Sequence, residues 1–171
     1  AKRYNKKNAW HGIRRTVRRS RAENCWNHAI HLETLGINTP HPVAFIQEYA
    51  GFGLKTCSWY LYEFVDGLSC IDKLKNNSIS NDDEIMEKIV STLGALWEQN
   101  ISHGDTKGTN FLLAYDRVVI IDLDSIKQHK HDGSARRLIR KDMSRFLRNW
   151  QDNPHLLQIA RTKLRLLGFN P

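Results

Sequence analysis

His103-Gly104-Asp105-Thr106-Lys107-Gly108-Thr109-Asn110, followed by Val118-Val119-Ile120-Ile121-Asp122-Leu123-Asp124, is the stretch on which the reading of this chain turns. Its first part is polar and punctuated by glycine, so Ser102 to Asn110 reads as a loop. The loop follows the most regular apolar pattern in the chain, Asp82 to Gln99, where Ile85, Ile89, Leu93 and Leu96 recur on one helical face. After it, Phe111–Ala114 and Val118–Ile121 read as two short strands around a turn at Tyr115-Asp116-Arg117. Asp105 stands five positions before Asn110, and Asp122 twelve positions after it, the length a hairpin needs to bring Asn110 and Asp122 together. A single Asp, Lys or Asn in a polar loop is ordinarily just solvated. The full ordered set between a helix and a hairpin reverses that reading.

Working outward, Ser20 with Glu23 three residues later forms a capping-box pattern ahead of an apolar stripe at Trp26, Ala29, Ile30 and Leu32, and Gly36 ends that helix. Thr39-Pro40-His41-Pro42 enforces an extended connection, because a residue before proline is pushed out of the helical region. Val43–Tyr49 and Thr56–Val65 then read as two strands around Gly51-Phe52-Gly53. Ile71–Lys75 reads as a short helix, Asn76–Asn81 as a polar loop, and the C-terminal third as helical with a break at Pro154. Asp142 reads as the start of a helix carrying Phe146, Leu147 and Trp150. The predicted fold class is α+β.

The 171 residues suit one domain or one domain and a fragment, and 40% hydrophobic with 26% charged residues is a globular composition. No segment approaches the roughly 18 uncharged apolar residues of a membrane-spanning helix, and no secretory leader pattern opens the chain, so a cytoplasmic protein is expected. Cys25, Cys57 and Cys70 contain no C-x-x-C pair, which argues against a disulfide framework or zinc site and for buried small side chains. His129 and His131 have no third ligand at metal spacing. A net charge of +8 implies a polyanionic partner. Arg14, Arg15, Arg18 and Arg19 repeat at helical spacing and suit anionic lipid or phosphorylated sugar as well as a solvated face; a second basic stretch runs from Arg136 to Arg148. A recognition module with interleaved aromatic and basic residues is missing, so nucleic acid is not an expected partner.

The His-x-Asp-x-Lys-x-x-Asn stretch and the Asp delivered by the hairpin resemble the catalytic and metal-binding loops of protein-kinase-like enzymes. That resemblance implies phosphoryl transfer from ATP with magnesium: Asp105 receives or orients the acceptor hydroxyl proton, Lys107 offsets charge on the phosphoryl group, and Asn110 and Asp122 bind the metal. His103 supports the loop, and Asp142 resembles an aspartate that braces the loop backbone. Leu123-Asp124 replaces the usual Phe-Gly after the metal aspartate.

Lys2-Arg3-Tyr4-Asn5, Ser20-Arg21-Ala22, Trp26, Leu35-Gly36-Ile37-Asn38-Thr39-Pro40-His41-Pro42, His103-Gly104-Asp105, Ile121-Asp122-Leu123-Asp124 and Phe146-Leu147-Arg148-Asn149-Trp150 together resemble the bacterial lipopolysaccharide core kinase family, over nearly the whole chain. The resemblance implies a protein-kinase-like fold with residues 1–66 as a partial N-terminal lobe and 67–171 as a small, mainly helical C-terminal lobe carrying both loops. It implies heptose or Kdo of the lipopolysaccharide inner core as acceptor, at the inner membrane, with an anionic membrane surface as a further partner. Lys2 matches the lysine that grips the α- and β-phosphates, and backbone groups of Glu63 and Val65, within Tyr62-Glu63-Phe64-Val65-Asp66-Gly67, match those that meet adenine. The glutamate that partners this lysine in the family falls at or near Cys25; Glu23 is the nearest acid and also suits a capping role. Family members carry two strands and a glycine-rich loop before that lysine, and the chain opens at Ala1, so truncation or processing is expected. An atypical protein kinase or small-molecule kinase would use the same residues, and a catalytically silent remnant is a further reading.

Overall fold

Ser20 starts the first long helix as its position predicts: its Oγ accepts the Glu23 N–H at 3.1 Å, and helix α1 spans Arg21–Thr34. Gly36 takes φ +70 just past its end, a conformation that favours glycine. The computed structural model describes residues 1–5, 18–76 and 81–170, which divide into two compact units, Ala1–Val65 and Asp66–Pro171. Arg14, Arg15 and the centre of the Asn76–Asn81 loop lie outside the described residues.

In the first unit, β2 (Pro42–Ala50) and β3 (Leu54–Tyr62) form an antiparallel pair joined by a single turn at Gly51–Gly53, and β1 (Lys2–Tyr4) pairs with the other edge of β3. The pairing of β3 ends at Tyr62 rather than Val65. The helix buries Ala22, Cys25, Ala29 and Leu32, a spacing of three to four that makes one stripe. Tyr4 and Tyr60 share this core, and the Tyr4 hydroxyl lies 3.4 Å from Cys25 Sγ.

The second unit contains β4 (Leu68–Ser69), α2 (Cys70–Asn76), α3 (Asp82–Glu98), β5 (Ile101–Ser102), β6 (Phe111–Ala114), β7 (Arg117–Ile120), β8 (Lys127–Gln128), α4 (Asp132–Arg148) and α5 (Pro154–Leu166). Strands β6 and β7 form the predicted hairpin, with Phe111 opposite Ile120 and Ala114 opposite Arg117. Tyr115 and Asp116 both have positive φ, as the tight turn requires, and Lys88 of α3 pairs with Asp116. Strand β4 extends this sheet beside β6, while β5 pairs with β8.

Trp97, Phe111, Phe146 and Trp150 are fully buried in this unit, and truncating any one to alanine is worth about 3–5 kcal/mol. Their four elements, α3, β6, α4 and the turn after α4, thereby hold the loops on one scaffold. Asn153 caps α5 by accepting the Leu156 N–H, and Pro154 occupies its first turn, where no amide is needed. Helix α4 begins at Asp132, not at Asp142; the exposed run Arg136, Arg137, Arg140 and Lys141 is its solvent face and hides the apolar period. Among the described residues no helix is long and apolar enough to cross a membrane.

Candidate active site

The loop from His103 to Asn110 has little regular structure of its own, so its backbone polar groups need partners. Helix α4 and its C-cap residue supply them from one stripe, Asp142, Arg145 and Asn149, at i, i+3 and i+7. The Asp142 carboxylate accepts the His103 N–H at 2.6 Å and the Gly104 N–H at 2.9 Å, and its carbonyl accepts Thr106 Oγ1–H at 2.7 Å. Asn149 donates to the Thr106 carbonyl at 2.9 Å and accepts the Gly108 N–H at 3.1 Å. Arg145 donates to the Gly104 carbonyl and, at 3.3 Å, to Asp105 Oδ1. Asp142 is almost fully buried, and this burial pushes its carboxyl up against the opposing pull of the two amide bonds.

His103 joins the loop to the hairpin. Its Nδ1 accepts the Asp105 N–H at 3.2 Å and its Nε2 lies 3.3 Å from the Ile121 carbonyl. A carbonyl can only accept, so Nε2 carries the proton and both bonds are met by one neutral tautomer. Complete burial lowers the His103 pKa from its ordinary 6.5 and keeps it neutral, although acidic groups nearby pull the other way. One imidazole therefore sets both the amide of Asp105 and the residue just before Asp122.

The Asp105 side chain is a quarter exposed, with Lys107 Nζ 3.6 Å from Oδ2 and Arg145 Nη1 on Oδ1. The Asn110 amide donates to the Asp105 carbonyl at 2.9 Å, which leaves its Oδ1 to accept or to coordinate. The Ile121 N–H donates to the Asn110 carbonyl at 2.9 Å, extending the hairpin ladder by one pair and setting Asp122 beside Asn110. Asp122 is exposed in the left-handed region at φ 58, which aspartate tolerates better than most residues. An amide oxygen and a carboxylate are hard oxygen donors that fit magnesium, which takes few protein ligands and completes its shell with water and phosphate. Among the described residues no cluster of three His, Cys, Asp or Glu could hold a metal on its own.

Gly104 and Gly108 are required by close approach. A Cβ on Gly104, which has φ +79, would lie 2.7 Å from the Ser125 carbonyl oxygen, and one on Gly108 would lie 2.9 Å from Ile71 Cβ. The loop is thus packed against the segment after Asp122 on one side and against α2 on the other.

Lys2, Glu63 and Val65 belong to the first unit. Lys2 sits on β1 opposite Tyr60, its Nζ 5.6 Å from the Tyr4 ring centre. The Glu63 N–H is spent on the His41 carbonyl at 2.9 Å, leaving its own carbonyl as a backbone group for a ligand. Glu23 pairs with Arg19 at 3.5 Å beside the Ser20 cap, and Cys25 occupies the buried position facing Tyr4. Burial pushes the Cys70 thiol up to about 12, so it stays protonated. His129 is held by Ser102 at 2.8 Å. Sequence reasoning missed Arg145 and Asn149 as parts of the site. Their signal was their spacing from Asp142 on a single helix face.

A family model described as the lipopolysaccharide kinase (Kdo/WaaP) family matches residues 1–164. Among solved structures, WaaP in complex with acyl carrier protein is similar at 18% identity and a TM-score of 0.57, over 86% of this chain and 73% of that one. A divergent kinase lacking the glycine-rich loop, which regulates membrane ultrastructure of the Toxoplasma parasitophorous vacuole, matches at 16% identity and a TM-score of 0.45, over 85% of this chain and 55% of that one. No curated protein matches. The likeness to WaaP shows the α+β, protein-kinase-like fold, and the match over residues 1–164 shows that the chain belongs to the lipopolysaccharide kinase (Kdo/WaaP) family.

Proposed function

We propose that this chain transfers a phosphoryl group from ATP, with magnesium, to a hydroxyl of heptose or Kdo in the lipopolysaccharide inner core. The observation that carries the reading is the common anchoring of Asp105 and Asp122 through His103, with Asn110 bonded to both segments. Asp105 orients the acceptor hydroxyl and receives its proton, a role for which a partly exposed carboxylate on a braced loop is suited. Lys107, on the same loop, offsets negative charge on the phosphoryl group. Asn110 Oδ1 and the Asp122 carboxylate would hold magnesium, which when bound neutralises phosphate charge. In the first unit, Lys2 would contact the α- and β-phosphates, and the backbone of Glu63 and Val65 would meet adenine. Residues 1–66 would thus serve the nucleotide and 67–171 the acceptor and the chemistry.

The exposed face of α4 supports an anionic membrane surface as a further partner. Arg136, Arg137, Arg140 and Lys141 project from two successive turns, and among the described residues no acidic side chain pairs with them. Such a surface at the cytoplasmic side of the inner membrane would bring the chain to a lipid-anchored acceptor.

The test is magnesium-dependent transfer of labelled γ-phosphate from ATP to dephosphorylated inner-core acceptors, with ATP binding followed by calorimetry. Asp105→Asn and Asp122→Ala are each expected to lower transfer by about 100-fold or more, to a rate still measurable above background, while leaving the far-UV circular dichroism unchanged. Undiminished transfer by both folded variants would sink the assignment.

A further inference from the structure

Arg145 lies one turn beyond Asp142 on the loop-facing stripe of α4, with 43% of its side chain exposed. Its Nη1 donates to two acceptors from consecutive residues, the Gly104 carbonyl and Asp105 Oδ1 at 3.3 Å. Lys107 Nζ stands 3.6 Å from the other carboxylate oxygen, Oδ2. The two cations differ in what they can do. Lys107 is a point charge on a flexible stem, 66% exposed, carried by the loop itself. Arg145 is carried by a helix that also holds the loop backbone through Asp142 and Asn149, and its guanidinium is rigid and planar. By tying Oδ1 to the carbonyl of the preceding residue, it fixes the Asp105 carboxylate relative to its own backbone. No side chain at position 104 could share this task, because a Cβ there would meet the Ser125 carbonyl at 2.7 Å.

We propose that Arg145 is the positioning residue for Asp105, supplied from the helix rather than the loop, and that it leaves Oδ2 as the oxygen presented to the acceptor hydroxyl. This rests on the reading of Asp105 as the base. Arg145 acts through Asp105 and touches neither substrate. Misplacement of a reacting group by about 1 Å costs on the order of 100-fold. Loss of Arg145 therefore lowers kcat, with little effect on KM for ATP or acceptor.

The experiment compares wild type, Arg145→Gln, Arg145→Lys, Asp105→Asn and the Arg145→Gln/Asp105→Asn double variant in steady-state phosphotransfer. Arg145→Gln removes both guanidinium contacts without adding charge, and its urea midpoint and far-UV circular dichroism separate loss of folding from loss of positioning. The expected result is a kcat lower by about 10- to 100-fold with KM within about twofold, only partial recovery in Arg145→Lys, and recovery of part of the Arg145→Gln loss by added guanidinium at millimolar concentration. In the Asp105→Asn background, Arg145→Gln is expected to change kcat by less than about twofold, because the group it serves is already gone. Equal losses in both backgrounds, or a folded Arg145→Gln with wild-type kcat beside a strongly impaired Asp105→Asn, would overturn the inference alone. A wild type with no transfer, or a fully active Asp105→Asn, would overturn the phosphotransfer reading and this inference with it.

Discussion

Replacing Gly104 by alanine tests how tightly the two loops are packed. In the native loop Gly104 has φ +79, and a Cβ would come within 2.7 Å of the Ser125 carbonyl oxygen and 2.8 Å of Ser125 Cβ. Holding alanine in the left-handed region costs roughly 1–2 kcal/mol. Forcing a methyl into filled space costs about 1–3 kcal/mol more, and the stiffer unfolded chain returns about 0.4–1 kcal/mol. The net expectation is a loss of about 1–4.5 kcal/mol, centred on about 3 kcal/mol. Gly36 is the internal control: it has φ +70 but open space where a Cβ would stand, so Gly36→Ala carries only the conformational part, about 1 kcal/mol. Urea denaturation of the two variants measures the difference directly. Adding Ser125→Gly to Gly104→Ala should recover only a fraction, because the nearest clash is with the backbone oxygen. If Gly104→Ala and Gly36→Ala lose the same stability within about 0.5 kcal/mol, the close approach of the loop to Ser125 is refuted.

Asp142→Asn replaces a two-oxygen acceptor by an amide with one, so the His103 or the Gly104 N–H loses its partner; a loss of about 1–3 kcal/mol in urea denaturation is expected. For pH, burial sets the folded His103 pKa below 6.5, so below that pH the unfolded chain binds more protons and stability is lost as pH falls toward the folded value. His103→Gln should flatten this acid slope by up to about 1.4 kcal/mol per pH unit, read from urea midpoints between pH 5 and 7; His28, also lowered by burial, is present in both proteins and cancels. An identical slope in the variant would contradict the buried neutral imidazole. Arg136→Glu with Arg140→Glu should weaken cosedimentation with anionic vesicles by at least about 2 kcal/mol, at about 1 kcal/mol per cation removed, without moving the thermal midpoint.

Much of the local structure was legible. Ser20 with Glu23, the stripe along α3 and the short apolar runs on either side of the Tyr115-Asp116-Arg117 turn each carry a short-range signal, and the elements formed within a residue or two of the expected bounds. Strands β4, β5 and β8 have two residues each, too few for any period, and exist only because a partner lies alongside. The start of α4 was read ten residues late because a solvent-facing run of cations masks its buried stripe.

Residue types and spacing by themselves determined that Asp105, Lys107, Asn110 and Asp122 lie on a loop and hairpin beyond a long helix, since those features depend on neighbours in the chain. What only the tertiary structure decided was what holds them. The amides of His103, Gly104 and Gly108 and the carbonyls of Gly104 and Thr106 find their partners about forty positions away on α4. Backbone groups are the same in every residue and leave no mark on the sequence, so packing alone assigns Asp142, Arg145 and Asn149 to them.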